Sequence, residues 1–209
     1  MRLFRFRRRV LTTGLVFCSL AVSFPLGAQT KAKATPGETA PATRVDDLVV
    51  APGFKVELLY TVPQAEQGSW VAMTLDTKGR LIVSDQYGSL YRLTPPALGK
   101  AGNTAVERLS IDLTRLPYSR EVPAAGTKKS EMSETVKVGA HGLLYAFDSL
   151  YFMVNENRGR TGLWRARDTD GDDQFDEIKL LRDMVGSGEH GTHAVVLGPD
   201  GRSLYFANG

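Results

Sequence analysis

Three segments of the sequence repeat one pattern, and this repeat restricts the possible folds more than any other feature. Each segment has an apolar run, a tight turn with Asp and usually Gly, and a second apolar run. The segments are VAMTLDTKGRLIVSD (71–85), LLYAFDSLYFMVN (143–155) and AVVLGPDGRSLYFANG (194–209). Hairpins that recur in this way are typical of β-propeller blades, whose four-stranded sheets bury their faces against each other. The repeat therefore predicts an all-β fold of the β-propeller type.

Short apolar runs separated by turn signals continue this pattern from Pro52 to the end of the sequence. Their spacing is roughly the eight to twelve residues of all-β domains, and no stretch has a sustained helical period with caps. The polar stretch 116–137 is predicted to be a surface insertion. The expected strands are 54–62, 70–75, 80–84, 89–93, 106–112, 142–147, 150–154, 162–167, 177–182, 194–197 and 203–207.

Residues 51–209 provide roughly three blades, at about 40–50 residues per blade. A propeller is not expected to close with so few blades, so the sequence predicts an incomplete propeller, the N-terminal part of a longer protein. The alternative is a small β-sandwich that is complete in itself.

The first 28 residues have the order of a secretory signal peptide. A basic segment (MRLFRFRRR) precedes an apolar run, Val10–Phe24, which ends near the small residues Gly27 and Ala28. We therefore expect cleavage near Ala28 and export to the periplasm or the cell exterior, followed by a flexible leader over residues 29–50. The alternative is an uncleaved membrane anchor, because the apolar run is somewhat shorter than the roughly 20 residues of a membrane span.

The charge of the chain depends on this N-terminal segment. The formal net charge is +3, but without the five arginines of residues 1–28 there remain 21 basic against 23 acidic residues, a net charge of −2. The rest of the chain therefore lacks the basic character of a nucleic-acid-binding protein. The one cysteine, Cys18, also lies in this segment, so residues 29–209 contain no disulfide framework, thiolate metal site or CxxCH haem attachment.

The segment DTDGDDQFDE has the composition of a calcium site. Carboxylates that alternate along a tight turn can converge on one hard cation, because calcium takes 6–8 oxygen ligands and tolerates irregular geometry. The spacing is not that of an EF-hand, since glycine is fourth and Lys179 is twelfth. The alternative is a solvated hairpin turn. The predicted ligands are Asp168, Asp170, Asp172, Asp176 and Glu177.

All three histidines lie in the last 70 residues of the chain, next to a glycine or at the start of an apolar strand. His190 follows Glu189 in a glycine-rich segment just before a strand, where an imidazole oriented by a carboxylate suits proton abstraction from an alcohol. His193, three residues later, would point to the other face of an extended chain. The alternative for each histidine is a hydrogen-bonded structural role.

The run EHGTHAVVLGPDGRSLYFANG resembles the catalytic segment of the soluble quinoprotein sugar dehydrogenases, the glucose and sorbosone dehydrogenase group. Those proteins are six-bladed propellers that bind pyrroloquinoline quinone (PQQ) on their axis. The resemblance implies that Glu189 and His190 are the catalytic acid–histidine pair. The segment VGAHGLLYAF resembles the family's cofactor-side segment, with Ala140 in the place of a glutamine. The residues assigned to the cofactor side are Ala140, His141 and His193.

A second resemblance covers nearly all of residues 51–209. The segments PGFKVELLYTVP, DTDGD and GEHGTHA are similar to those of large secreted proteins of planctomycete and verrucomicrobial type described as membrane-bound dehydrogenases. Those proteins continue into further blades, helical repeats and a c-type cytochrome domain, which implies haem c beyond Gly209. The implied function is PQQ-dependent oxidation of a sugar or other alcohol, with electrons passed to the cytochrome domain. The alternative is a non-catalytic, calcium-stabilised propeller that binds a glycan or protein partner.

Overall fold

The computed structural model describes residues 2–8, 43–86, 88–100, 102–111, 113, 138–155, 160–186 and 191–209. The chain forms two compact units, residues 2–61 and residues 62–209. The segment 9–42, which contains most of the predicted signal peptide and leader, and the predicted insertion 116–137 lie outside the described residues.

The first unit contains one antiparallel strand pair. Strand β1 (Arg2–Arg8) pairs with strand β2 (Phe54–Thr61), with Arg8 opposite Phe54 and Arg2 opposite Thr61. A short 3-10 helix, Val45–Asp47, precedes β2. The sequence predicts β2, whereas residues 2–8 belong to the predicted signal peptide. The alternation of Arg with Leu and Phe in RLFRFRR is itself a strand pattern, and this explains why the segment can pair.

The second unit consists of antiparallel sheets in which each strand pairs with the next one along the chain. There are two four-stranded sheets and one hairpin, preceded by the one-turn helix α1 (Gln64–Gln67). The first sheet contains β3 (Trp70–Leu75), β4 (Leu81–Asp85), β5 (Leu90–Thr94) and β6 (Ala105–Arg108). The second sheet contains β7 (Ala140–Ala146), β8 (Ser149–Val154), β9 (Gly162–Arg167) and β10 (Glu177–Asp183). The hairpin contains β11 (Thr192–Leu197) and β12 (Leu204–Asn208).

The turns between paired strands follow from their polar residues. In the β3–β4 turn, Asp76 Oδ1 accepts hydrogen bonds from the backbone N–H groups of Lys78 (2.9 Å) and Arg80 (2.8 Å). In the β11–β12 turn, Asp200 accepts backbone hydrogen bonds from Arg202 and Ser203, each at 3.0 Å. Asp side chains bind nearby backbone groups in this way in tight turns, so the turn positions were readable from the sequence.

Strand β7 packs against both β3 and β11, so the first strands of the successive sheets lie next to one another. Strand β8 is buried along its whole length, and its side chains alternate between two cores. Leu150, Phe152 and Val154 face the first sheet, where they meet Ile82 and Leu90, whereas Tyr151 and Met153 belong to the core that contains Val195 of the hairpin. Burial on both faces explains the almost uninterrupted apolar sequence of β8.

The structure confirms the all-β prediction, and each expected strand has a counterpart within a few residues of its predicted ends. The only helices among the described residues are the single turns at 45–47 and 64–67. No helix in this part of the chain is long and apolar enough to cross a membrane.

Candidate functional site

Two of the three histidines lie side by side on neighbouring first strands. His141 is the second residue of β7 and His193 is the second residue of β11. Their ring centroids are 5.6 Å apart and the rings are tilted by 45°. Both side chains are half-buried, so part of each ring is exposed to solvent. The structure therefore brings together two residues that are 52 positions apart in the sequence.

A β-bulge occurs at the beginning of each first strand. The strand register shifts by one residue between Trp70 and Ala72 in β3, between Ala140 and Gly142 in β7, and between Thr192 and Val195 in β11. The second residue of each first strand, which is Val71, His141 or His193, lies in the bulge. Bulges reorient side chains and are common beside active sites. They explain why the two histidines can meet although simple strand alternation does not predict it.

Gly142 allows β7 and β11 to approach closely at the histidine pair. A Cβ atom built on Gly142 would lie 1.9 Å from the carbonyl oxygen of His193, a distance that no real side chain tolerates. At Gly191, a Cβ atom would lie 1.8 Å from the Oδ1 atom of Asn155, so that side chain would have to move. At Gly142 the neighbour is backbone, and glycine is required there because there is no space for a Cβ atom.

Buried hydrogen bonds fix the strand ends around the histidines. The Ser84 hydroxyl donates to the carbonyl oxygen of Ala140, and this bond joins the first sheet to the second. The Thr192 hydroxyl donates to the carbonyl oxygen of Val154 (2.6 Å), which joins the hairpin to the second sheet. Ala140, assigned to the cofactor side by resemblance, is fully buried in the core between the two sheets. It borders the histidine pair from the core side.

The proposed acid–histidine pair, Glu189 and His190, lies outside the described residues. The described chain resumes at Gly191, two residues before His193. In the sequence, both residues fall between β10 and β11.

The acidic loop between β9 and β10 brings together three of its predicted ligands. Carboxylate oxygens of Asp168, Asp170 and Asp172 all lie within 4.8 Å of one another. The loop backbone supports this arrangement, because the N–H groups of Gly171 (2.7 Å) and Asp173 (2.9 Å) donate to the two oxygens of Asp168. Three carboxylates in such a cluster offer hard oxygen ligands of the kind that calcium prefers.

The other two predicted ligands bind groups of the protein. Asp176 accepts hydrogen bonds from the backbone N–H (2.8 Å) and the hydroxyl of Thr169, and these bonds lower the pKa of its carboxyl group. Glu177 accepts a hydrogen bond from Arg165 Nη2 at 2.6 Å. The carboxylate cluster among the described residues therefore comprises three of the five predicted acids.

A residue that the sequence analysis did not select, Asp173, joins the acidic loop to the first sheet. Arg80 donates hydrogen bonds to both carboxylate oxygens of Asp173, through Nη1 and through Nη2 (2.7 Å). Arg92 donates to the Asp173 carbonyl oxygen at 2.9 Å, and its guanidinium carbon lies 5.7 Å from the ring centroid of Phe175. Arg80 also donates through Nε to Asp76 at 2.6 Å. The loop is thus attached to two arginines of the neighbouring sheet.

The electrostatics of this contact follow from its geometry. The hydrogen bonds from Arg80 hold the pKa of Asp173 well below its usual value, and Lys78 and Arg92 act in the same direction. The same pairing raises the pKa of Arg80. Both partners are therefore charged throughout the physiological pH range. The arginine side is well shielded, since the Arg92 side chain is only 3% exposed.

The histidine pair and the acidic loop lie at opposite ends of the second sheet. Ala140 pairs with Val154, and Val154 pairs with Gly162, at the end where the histidines lie. The loop follows Arg167 and precedes Glu177, which are paired at the other end. A strand of this length spans about 20 Å. The loop is therefore too far from the histidines to share a ligand with them.

Comparisons of the chain with protein-family models, with curated proteins and with solved structures found no match.

Proposed function

We propose that this chain is part of an exported six-bladed propeller that oxidises a sugar or another alcohol with a PQQ-type quinone. Its electrons would pass to a c-type cytochrome domain or another electron acceptor, and an uncleaved N-terminal segment would associate the protein with a membrane. The observation that best supports this proposal is the meeting of His141 and His193 on adjacent first strands. In the sequence, Glu189 and His190 come shortly before Thr192, the first residue of β11.

The arrangement of the sheets supports the propeller part of the proposal. Each four-stranded sheet is a meander, and its first strand lies against the first strand of the next sheet. In a propeller, the first strands of the blades surround a central channel. The histidines would then lie beside this channel, where a ligand can contact residues of several blades at once.

The side chains at this end suit a quinone with several carboxylate and carbonyl oxygens. Imidazole nitrogens donate hydrogen bonds to such acceptors, and His141 and His193 are both only partly buried at this end of the sheets. We propose that these two residues hold the cofactor from one side. PQQ, when bound, accepts the hydride that the substrate carbon loses.

The proton of the substrate requires a separate group. We propose that His190 accepts the hydroxyl proton while the carbon–hydrogen bond breaks, and that Glu189 orients the His190 ring. The alcohol thereby loses a hydride and a proton and becomes a carbonyl compound. An imidazole performs this step well because its ordinary pKa lies close to neutral pH.

Substitution of His190 tests this function. In the full-length protein supplied with PQQ and calcium, His190→Ala should lower turnover by about 10²–10⁴-fold, the usual contribution of a general base. The melting curve should stay unchanged, and the remote variant Glu177→Gln should keep its turnover. His193→Ala should weaken PQQ binding and lower turnover by a smaller factor. If His193 proves essential and His190 dispensable, the assignment of the base is wrong.

A second candidate function is a non-catalytic propeller that binds a glycan or a protein and uses calcium as a structural ion. The position of the acidic loop favours this alternative, because the loop lies away from the histidines and ties two sheets together through Asp173. Calcium at Asp168, Asp170 and Asp172 would have a structural role in either function. The alternative replaces the enzyme if the full-length protein neither binds PQQ nor oxidises any sugar or alcohol.

A further inference from the structure

We propose that His141 and His193 form a binding site for a divalent transition-metal ion such as Zn²⁺ or Cu²⁺. One imidazole from each of two adjacent first strands would coordinate the ion, and water would complete its coordination. The site is distinct from the acidic loop, and it needs neither the quinone nor the oxidation proposed above.

The separation of the rings matches that of two imidazoles on one metal ion. With metal–nitrogen bonds of about 2.0–2.1 Å, a coordinated ion lies roughly 3.2 Å from each ring centroid. The two centroids are then about 5.2 Å apart in tetrahedral geometry and about 5.5 Å apart in trigonal geometry. The observed centroid separation is 5.6 Å. The separation therefore fits two imidazoles on one ion, and binding requires each ring to turn until one of its nitrogens points at the ion.

The backbone around the pair is held firmly. Gly142 is in contact with the carbonyl group of His193, so the two strands have almost no room to move towards each other. The buried bonds from Ser84 to Ala140 and from Thr192 to Val154 anchor the residues immediately before the two histidines. Such anchoring lowers the entropic cost of bringing two ligands together, because their backbone positions are set before the metal binds.

The chemistry of the ligands separates this site from the acidic loop. Imidazole nitrogens suit zinc, copper and nickel, whereas carboxylate oxygens suit calcium and magnesium. Both histidine side chains are half-buried, so an ion can enter and water can bind to it. The protein should therefore bind calcium and a transition metal independently, at opposite ends of the second sheet.

Calorimetry of the unsubstituted chain with Zn²⁺, in excess calcium and without quinone, tests the site. We expect one zinc ion per chain at this site. His141→Gln and His193→Gln should each weaken zinc binding by at least about tenfold, in line with the 10–100-fold losses caused by weaker changes around metal ligands. Asp170→Asn, which removes a carboxylate at the other end of the sheet, should leave zinc binding unchanged.

Electron paramagnetic resonance with Cu²⁺ tests the site on the unsubstituted chain, so the result does not require that a variant folds. The spectrum of the unsubstituted chain should show hyperfine coupling to two imidazole nitrogens, and each His→Gln variant that keeps its melting curve should retain coupling to one. A spectrum with oxygen ligands alone would overturn the proposal. Zinc binding that survives both substitutions would overturn it as well. The same two histidines are proposed to hold the quinone, but these experiments contain no quinone, whereas the oxidation is tested by turnover with PQQ. Failure of the metal site is therefore distinguishable from failure of the proposed oxidation.

Discussion

Among the acids of the loop, Asp173 makes the most contacts between the two four-stranded sheets. Its carboxylate accepts two hydrogen bonds from Arg80 and lies 3.0 Å from Lys78 Nζ, and its carbonyl oxygen accepts a bond from Arg92. Arg92 is buried and its Nη1 atom also lies 3.4 Å from an Asp173 carboxylate oxygen, so removal of that charge would leave the guanidinium group with less compensating charge. Breaking such a contact costs more than the net energy of the intact pair.

We therefore predict that Asp173→Asn lowers the free energy of unfolding by about 1 kcal/mol at neutral pH, measured by urea denaturation. The effect is moderate because the Asp173 side chain is 35% exposed and solvent screens part of the interaction. The pKa of Asp173 is lower in the folded protein than its unfolded value of about 3.9. The stabilisation by its charge is thus fully present above that value and is lost as pH falls towards the folded-state pKa. The difference between the parent protein and the variant should be constant from about pH 5 to pH 8 and shrink below about pH 4.

Asp172→Asn is the matched control for this prediction. Asp172 is exposed, and its carboxylate accepts a hydrogen bond from the Gln174 backbone N–H at 2.8 Å. Its replacement in metal-free buffer should change stability by less than about 0.5 kcal/mol, as for most surface substitutions. Equal effects of the two substitutions would mean that the contact with the arginines does not stabilise the protein.

A second prediction concerns the close contact between Gly142 and the backbone of His193. Gly142→Ala places a methyl group against the carbonyl oxygen of His193, so β7 and β11 must move apart. We expect a loss of about 1–3 kcal/mol in stability, typical of overpacked sites, together with weaker zinc binding. Gly102→Ala, where the nearest atom is 3.3 Å away in an exposed segment, should change the melting temperature little. Full retention of stability by Gly142→Ala would contradict the close packing of the two strands.

The acidic loop behaves as one element because its backbone N–H groups hold the carboxylates in place. Asp168 and Asp172 accept backbone bonds from within the loop, whereas Glu177 pairs with Arg165. We predict that calcium raises the melting temperature, by the stabilisation that ligand binding to the folded state provides. Asp170→Asn should abolish this increase and Glu177→Gln should preserve it. Identical melting curves in calcium and in chelator would show that the loop is only a turn.

Much of the architecture could be predicted because strands and turns are determined by residues that are close to one another in the sequence. Apolar alternation and turn residues locate the strands, and the acids of the loop are close in sequence, so their proximity needed no knowledge of the fold. Two features could not be predicted. The bond between Arg80 and Asp173 joins residues 93 positions apart, and nothing in the local sequence pairs them. The bulges at His141 and His193 shift the side-chain alternation by one residue, so strand periodicity assigns the wrong neighbours.

The three repeats also share a detail that becomes meaningful only in the fold. The second strand of each repeat ends in Asp or Asn or is followed directly by Asn. The residues are Asp85 and Asn208, which end β4 and β12, and Asn155, which follows β8. Asp85 accepts a bond from the Ser69 N–H at 3.0 Å, and Asn208 donates to the Val185 carbonyl oxygen at 3.1 Å. These side chains fasten the connecting segments at the end of the sheets where the histidines lie. The sequence shows that these residues recur, but their structural role is visible only from contacts between segments that are separate in the sequence.

At the scale of the whole molecule, the outermost faces of the sheet array remain apolar. Val71, Met73 and Leu75 of β3 are exposed on the face turned away from the second sheet. On the hairpin, Val196 and Tyr205 are paired across the strands, and both are more than half exposed, at 54% and 58%. The interfaces between the described sheets are built from similar apolar faces, and contiguous exposed patches of this kind usually mark contact surfaces.

We predict that the 209-residue chain associates in a concentration-dependent manner through these faces. The double variant Val196→Lys/Tyr205→Lys should lower the average mass in sedimentation experiments and reduce the binding of the dye ANS, because two charges on adjacent strands make burial of the hairpin face unfavourable. Leu98→Lys is the control, since Leu98 is even more exposed, at 69%, but lies in a loop outside both faces. If the double variant and the control associate as strongly as the parent chain, the hairpin face is not a contact surface, and association must occur elsewhere.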